Sequence, residues 1–322
     1  MENQTFLSEY PNLEEWYFHR AGQENQKQLF DLCRSLNHSE IQNVSLDISK
    51  FLTQIFETTS NLKSDLECLE ELCLLQGVEI NAIYVKIIES SITENCISQL
   101  FEVFKNLAMQ SKSAVYCFFS AWMALNTDQL EECIELCDIT DVSNSDFKGL
   151  AGQANLELQN FEEALACFEA ATEEKPLDPI HWFWLAKSAF ALNRPEEAWQ
   201  ASMECYKLRP THVEACLLLG IIASEENFYP DNLIDAWTAL WGHLQHTANQ
   251  GLISGILFEI GFKLEDEDKM IELINQLNFR KLASSSDFSK NLGSILKGLN
   301  KQGWFEANKL FIDRYESGIN PS

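Results

Sequence analysis

Between Ser145 and Arg209 the chain says nearly the same thing twice, at a fixed offset of 34 residues. Leu158 recurs as Leu192, Glu162-Glu163-Ala164 as Glu196-Glu197-Ala198, and Pro176 as Pro210. One period further on, Leu185 returns as Leu219 and Ala189 as Ala223. A period of this length constrains the fold more than any local motif does. Each unit is too small to bury its own apolar face, so neighbours must stack into a quasi-one-dimensional array of helical units.

Local signals agree with the period. Pro179 and Pro195 stand where helices open, at the position where a missing amide donor costs nothing. Asp178 is placed to cap the first of these helices, and Thr211 with Glu214 has the T-x-x-E spacing of a capping box. Pro176 and Pro210 follow the second helices. Small residues at Gly152, Ala164, Ala186, Ala198 and Gly220 let helix backbones approach closely, so the hairpins can stack.

Residue by residue, the pattern resembles the tetratricopeptide repeat. In the second copy Trp182, Leu185, Ala186 and Ala189 fill the large and small places of the first helix, and Ala198 and Pro210 fill the later ones. In the first copy Gly152, Ala164, Phe168, Ala171 and Pro176 match, while Lys148 stands where an aromatic is expected. The second copy departs at Ser202 and Cys205. The third opens with Leu219, Gly220 and Ala223, but its next small residue, Ala236, comes 38 positions after Ala198, which predicts a four-residue insertion around Tyr229-Pro230-Asp231. The resemblance implies an all-α fold, a right-handed superhelical solenoid of antiparallel helix hairpins, with irregular helices before it.

Three regions follow. Residues 1–110 read as irregular helices such as 41–58, where Val44, Ile48, Phe51, Leu52 and Ile55 recur at helical spacing. They are either decayed repeats or a separate bundle. Residues 111–246 hold the repeats, clearest over 145–225, and Leu130-Glu131-Glu132-Cys133 lines up with Phe161-Glu162-Glu163-Ala164 at 31 residues rather than 34. Residues 247–322 read as C-terminal hairpins and a cap, whose last helix turns Lys309, Asp313 and Glu316 outward. Trp237 and Trp241 lie four apart, on one helix face.

Charge narrows the function classes. With 23 basic against 49 acidic residues, the net charge of -26 repels phosphate backbones, so no nucleic-acid partner is expected. The same charge keeps a protein soluble, or attracts basic partners. Met1–Leu13 is polar and acidic and predicts no secretory signal, and no apolar run is long enough to insert in a membrane. Ten cysteines without an export signal read as reduced, mostly buried thiols in a cytoplasmic protein.

No catalytic signature is present, so no enzyme activity, catalytic residue or cofactor is expected. Cys133 with Cys137, Cys68 with Cys73, and His243 with His246 are near pairs, but none has the C-x-x-C spacing of a zinc site, and no metal is expected. Glu162-Glu163 and Glu196-Glu197 look like carboxylate dyads, yet each lies in the first turn of a helix, where negative charge complements the dipole. His181 beside Trp182 and Trp184 reads as a packed or surface histidine before a proton shuttle.

In the family the first helices line a concave groove. Mapping that face by resemblance gives Leu156, Ile180, Phe183, Lys187 and Phe190, then Leu217 and Ile221, with Trp184 at the edge. Apolar side chains off the stacking positions mark a binding surface unless a neighbouring hairpin fills it. The places at which some members clamp a C-terminal carboxylate hold Gly149, Gln153, Lys187, Glu214 and Leu218, one cation against one acid, which disfavours that use. The expected function is a non-enzymatic scaffold or adaptor binding a peptide or helix of a protein partner, with basic flanks on that partner. The alternatives are a dedicated chaperone or regulatory subunit for an effector or enzyme, and a helical accessory region of a transferase.

Overall fold

The structure, a computed structural model, describes Tyr84, Val85, Ile88 and residues 97–139, 144–225, 230–244, 250–282 and 285–319. The expectations for residues 1–83, Cys68 and Cys73, and His246 lie outside the described residues. The fold is all-α: every regular element among the described residues is a helix. The chain divides into two compact units, 1–158 and 159–322.

The first unit holds α1 (Ile97–Ser111), α2 (Ala114–Asn126), α3 (Leu130–Ile139) and α4 (Ser145–Glu157). Consecutive helices pack on one another, and α2 also meets α4. Aromatic rings fill the middle: Tyr84 sits edge-on to Phe104 at 5.1 Å and to Phe119 at 5.4 Å. Cys133 and Cys137 of α3 are both buried among these apolar side chains.

The second unit holds α5 (Phe161–Glu174), α6 (Pro179–Ala191), α7 (Pro195–Leu208), α8 (Val213–Glu225), α9 (Pro230–Trp241), α10 (Gln250–Leu264), α11 (Glu267–Gln276), α12 (Phe279–Leu282), α13 (Ser286–Gln302) and α14 (Phe305–Ile319). From α5 to α11 each helix packs on the next, and α8 reaches α10 as well. The last described helix, α14, touches the three before it, α11, α12 and α13. Trp237 and Trp241 stack at 5.7 Å, and Trp237 is buried against α10, close to Gly261. Lys309, Asp313 and Glu316 are exposed on α14 as expected. The same helix also leaves Phe305 bare, at 85% exposure.

The period read from the sequence returns as helix bounds. The helices that open successive units start at Ser145, Pro179 and Val213, 34 residues apart, and each is 13 residues long. The 31-residue offset is just as regular, since α2 starts at Ala114 and is also 13 residues long. The shortfall is taken up in α3, which has 10 residues where α5 has 14. The turns repeat too. Asp128, Gln159 and Asn193, each two places after such a helix, adopt left-handed φ values of 62°, 64° and 57°. In two of these turns the following amide closes the helix, Gln129 N donating to Ala124 O and Arg194 N to Ala189 O, both at 2.9 Å, which is the bond of a Schellman cap.

The helix starts hold one correction. Asn144 accepts from the amides of Asp146 and Phe147, and Asp178 accepts from Ile180 N at 2.9 Å. At the third equivalent place the acceptor is His212, whose Nδ1 takes the Ala215 amide at 3.3 Å. The capping box expected of Thr211 and Glu214 is therefore replaced by a histidine cap one residue later, in step with the period. A second correction concerns the insertion. Helix α9 opens at Pro230, 35 positions after Pro195, so one residue is added rather than four. Leu233, not Ala236, takes the place of Ala198, and it is buried there.

Candidate functional site

The face singled out in the sequence lies in the second unit, on α6 and α8. Ile180, Phe183, Lys187 and Phe190 are spaced by three and four along α6, so they share one side of it. The adjoining side carries Ala186 and Ala189, small enough to be fully enclosed in the core of the second unit. That division sets which residues meet solvent: Ile180, Phe183 and Trp184 are half-buried and Lys187 is exposed.

These side chains hold one another in place. Trp184 stacks on Phe168 of α5 at 6.2 Å with 13° between the rings, and Lys187 sets its ammonium over the indole at 4.6 Å. Phe183 lies 5.3 Å from Trp184 and 4.7 Å from the imidazole of His212. A ring ladder thus crosses from α5 over α6 to the start of α8. Phe190 and Ile221 are half-buried against the core, and Leu217 belongs to it at 9% exposure. Leu156 holds the same register in the first unit and is 8% exposed. The strip most open to a partner is therefore Ile180, Phe183, Trp184 and Lys187.

The polar groups nearby are structural. Burial lowers the His212 pKa, while Glu214, with a carboxylate oxygen 3.4 Å from Nδ1, opposes that shift. The ring is neutral in its role as cap, because an imidazolium has no lone pair to accept the Ala215 amide. His181 is 7% exposed. Its nitrogens have no hydrogen-bond partner, and Asp178 stands 3.7 Å from Nε2, an ion-pair distance too long for a hydrogen bond. The ring reads as packing. Burial pushes Cys205 up to about 11 and Cys216 up to about 12, so both thiols stay protonated near neutral pH and are poor nucleophiles. Cys216 instead points its Sγ at Pro210 O at 3.8 Å, as Trp182 Nε1, one period earlier, donates to Pro176 O at 2.8 Å. Glu162, Glu163, Glu196 and Glu197 are exposed in the first turns of α5 and α7, where they meet the helix dipole. Among the described residues no three His, Cys, Asp or Glu side chains gather in a way that would hold a metal ion.

Geometry of this kind defines a class: helix hairpins whose opening helices keep a constant length, stacked in chain order, with an aromatic strip on α6 and, among the described residues, no gathered metal-binding groups. Comparison with known proteins narrows it. A tetratricopeptide-repeat family profile matches residues 150–204. A TPR repeat-containing protein of Methanocaldococcus jannaschii is 27% identical over 137 residues. That match spans 42% of this chain and only 22%, about a fifth, of the relative's length. The solved structure of YrrB, described as a TPR protein with an unusual peptide-binding site, shares the fold. It is 16% identical, covering 59% of this chain and 96% of its own, with a TM-score of 0.50. Yeast Tom70 aligns over 91% of this chain and 61% of its own at 12% identity, but its TM-score of 0.45 is too loose to carry the assignment. Residues 150–204 thus carry the tetratricopeptide-repeat signature, and the helical-hairpin fold is similar to that of TPR proteins. The fold supports an interaction scaffold in general terms, and no described helix is long and apolar enough to cross a membrane.

Sequence reasoning places no site residue ahead of Leu156. The available signal is the 31-residue offset, which carries the same face onto α2 at Val115, Phe118, Trp122 and Leu125. All four are half-buried against the first unit's core.

Proposed function

We propose that this protein is a non-enzymatic adaptor that takes a peptide or helix of a protein partner along the first-helix face of α6 and α8. The supporting observation is the open strip of Ile180, Phe183, Trp184 and Lys187, braced by the ring ladder from Phe168 to His212. Braced aromatic side chains lose little conformational entropy on binding and make effective anchors. Phe190 and Ile221 extend the strip at its margins, and Leu217 lies beneath it. Leu156 stands in the same register on the first unit. A partner with apolar anchors and basic flanks suits a chain of net charge -26, the flanks chiefly speeding encounter.

The test uses Ile180→Glu combined with Phe183→Glu, because neither side chain belongs to the core cluster. Native extract is passed over the full chain and over the variant, and captured proteins are quantified by mass spectrometry alongside far-ultraviolet circular dichroism. The expected result is loss of a defined set of proteins with helical content unchanged. An identical captured set on both would remove this face from the function, and turnover of any substrate by the purified chain would remove the non-enzymatic reading.

A further inference from the structure

The first unit carries a cavity that the strip on α6 does not explain. It has a volume of about 330 Å³ and opens beside the starts of α2 and α4. Its wall is apolar, made chiefly by Val115, Phe118, Phe119 and Phe147, and Asp146 stands at its edge. Phe118 meets Phe119 at 5.4 Å and Phe147 at 5.8 Å, both edge-to-face, so the wall is a set of interlocked rings. The volume is near the lower end of the roughly 300–1,000 Å³ typical of ligand pockets, which suits one bulky side chain.

Two observations choose the occupant. Val115 and Phe118 hold on α2 the register that Ile180 and Phe183 hold on α6, so the cavity lies on the first unit's own equivalent of the face already read as polypeptide-binding. The charged group at its edge is a carboxylate, on a chain with 49 acidic and 23 basic residues. An anionic ligand such as a fatty acid would bring like charges together, whereas a cationic flank would meet its complement. Resting on the reading of the first-helix face as a polypeptide site, we infer that this cavity is an anchor pocket for a partner segment carrying one bulky apolar side chain, of Leu, Met, Phe or Trp size, with Lys or Arg one or two places away, facing Asp146.

Short random peptides displayed on phage are selected on the full chain, and enriched peptides are synthesised with and without their basic residues. Affinities are then measured by fluorescence anisotropy on four proteins: the wild type, Ala114→Trp, which fills the cavity, Asp146→Asn, and Ile180→Glu with Phe183→Glu. The expected outcome is enrichment of apolar-basic peptides that lose about tenfold or more on Ala114→Trp. They lose about two- to fivefold on Asp146→Asn, a loss that the peptides without basic residues do not show. The α6 variant leaves these affinities unchanged. Should Ala114→Trp lose helical content, Val115→Arg at the half-buried wall gives the same readout. Enrichment of acidic or wholly polar peptides, or unchanged affinity in the cavity variants, overturns the inference. Loss on the α6 variant alone overturns it while leaving the broader adaptor reading standing; loss on neither overturns both.

Discussion

His212 shows how one residue ties the repeat to pH. Asn144 and Asp178 cap the two preceding units with side-chain oxygens that accept at all pH values above the carboxylate range, but the third unit relies on an imidazole nitrogen. Burial lowers the folded-state pKa of His212 below the ordinary value of about 6.5, so below that pH the unfolded chain binds more protons than the folded one. The stability tied to a neutral His212 is therefore fully present above about pH 6.5 and is lost as pH falls through the lowered folded value. His212→Asn keeps a capping side chain that does not titrate. Thermal melts between mildly acidic and neutral pH are expected to show a smaller fall in the variant than in the wild type. Equal falls would assign the acid sensitivity to other groups. The cap itself is legible in the sequence as a place, since position 212 follows 178 by one period, but not as a chemistry. The T-x-x-E spacing at Thr211 points one residue early, because local spacing cannot say where the backbone enters the helix.

Among the elements, α8 is closely hemmed in by α9 and α10. A β-carbon added at Gly220 would collide with Leu240 of α9 and come within 2.8 Å of Ile256 of α10. Replacing a glycine inside a helix ordinarily gains up to about 1 kcal/mol. Here overpacking costs about 1–3 kcal/mol, so Gly220→Val is expected to lower the midpoint of urea unfolding; an unchanged or higher midpoint would show that α9 and α10 give way. Ala186 holds the same position one period earlier and is likewise enclosed. This much is visible in the sequence as a recurring small residue. The start of α9 is not. The size pattern points to Ala236, a small residue in a familiar setting, whereas Leu233 occupies the place, with Ala236 one helical turn further along. Size patterns mark close contacts, and a leucine at a roomier contact breaks the pattern without breaking the stack.

For the whole molecule, charge repulsion is the main electrostatic influence outside the cores. At -26 the folded chain concentrates negative charge that the unfolded chain spreads out. Ion pairs such as Arg194–Glu197 and Lys207–Glu204 are exposed, where each offsets little of that repulsion. Raising salt from about 10 mM to about 150 mM shortens the screening length from about 30 Å to about 8 Å. The melting temperature is expected to rise over that range, and a fall would mean that attractive pairs outweigh the repulsion. Binding of a basic partner should weaken over the same range through slower encounter.

The sequence by itself determined the period, the helix class, the starts of α4 and α6 and the side of α6 that is not packed, because each depends on residue size and polarity repeating every 34 places. Only the tertiary structure decided how much of that side is free. Phe190, Ile221 and Leu217 map in the sequence to the same face as Phe183, yet they lean on or enter the core, since exposure depends on what the neighbouring helices cover. The cavity at Phe118 and Phe147 belongs to that second kind of fact. It needs side chains from α2 and α4 that lie far apart in the chain, and no periodicity along a single helix records the space left between two.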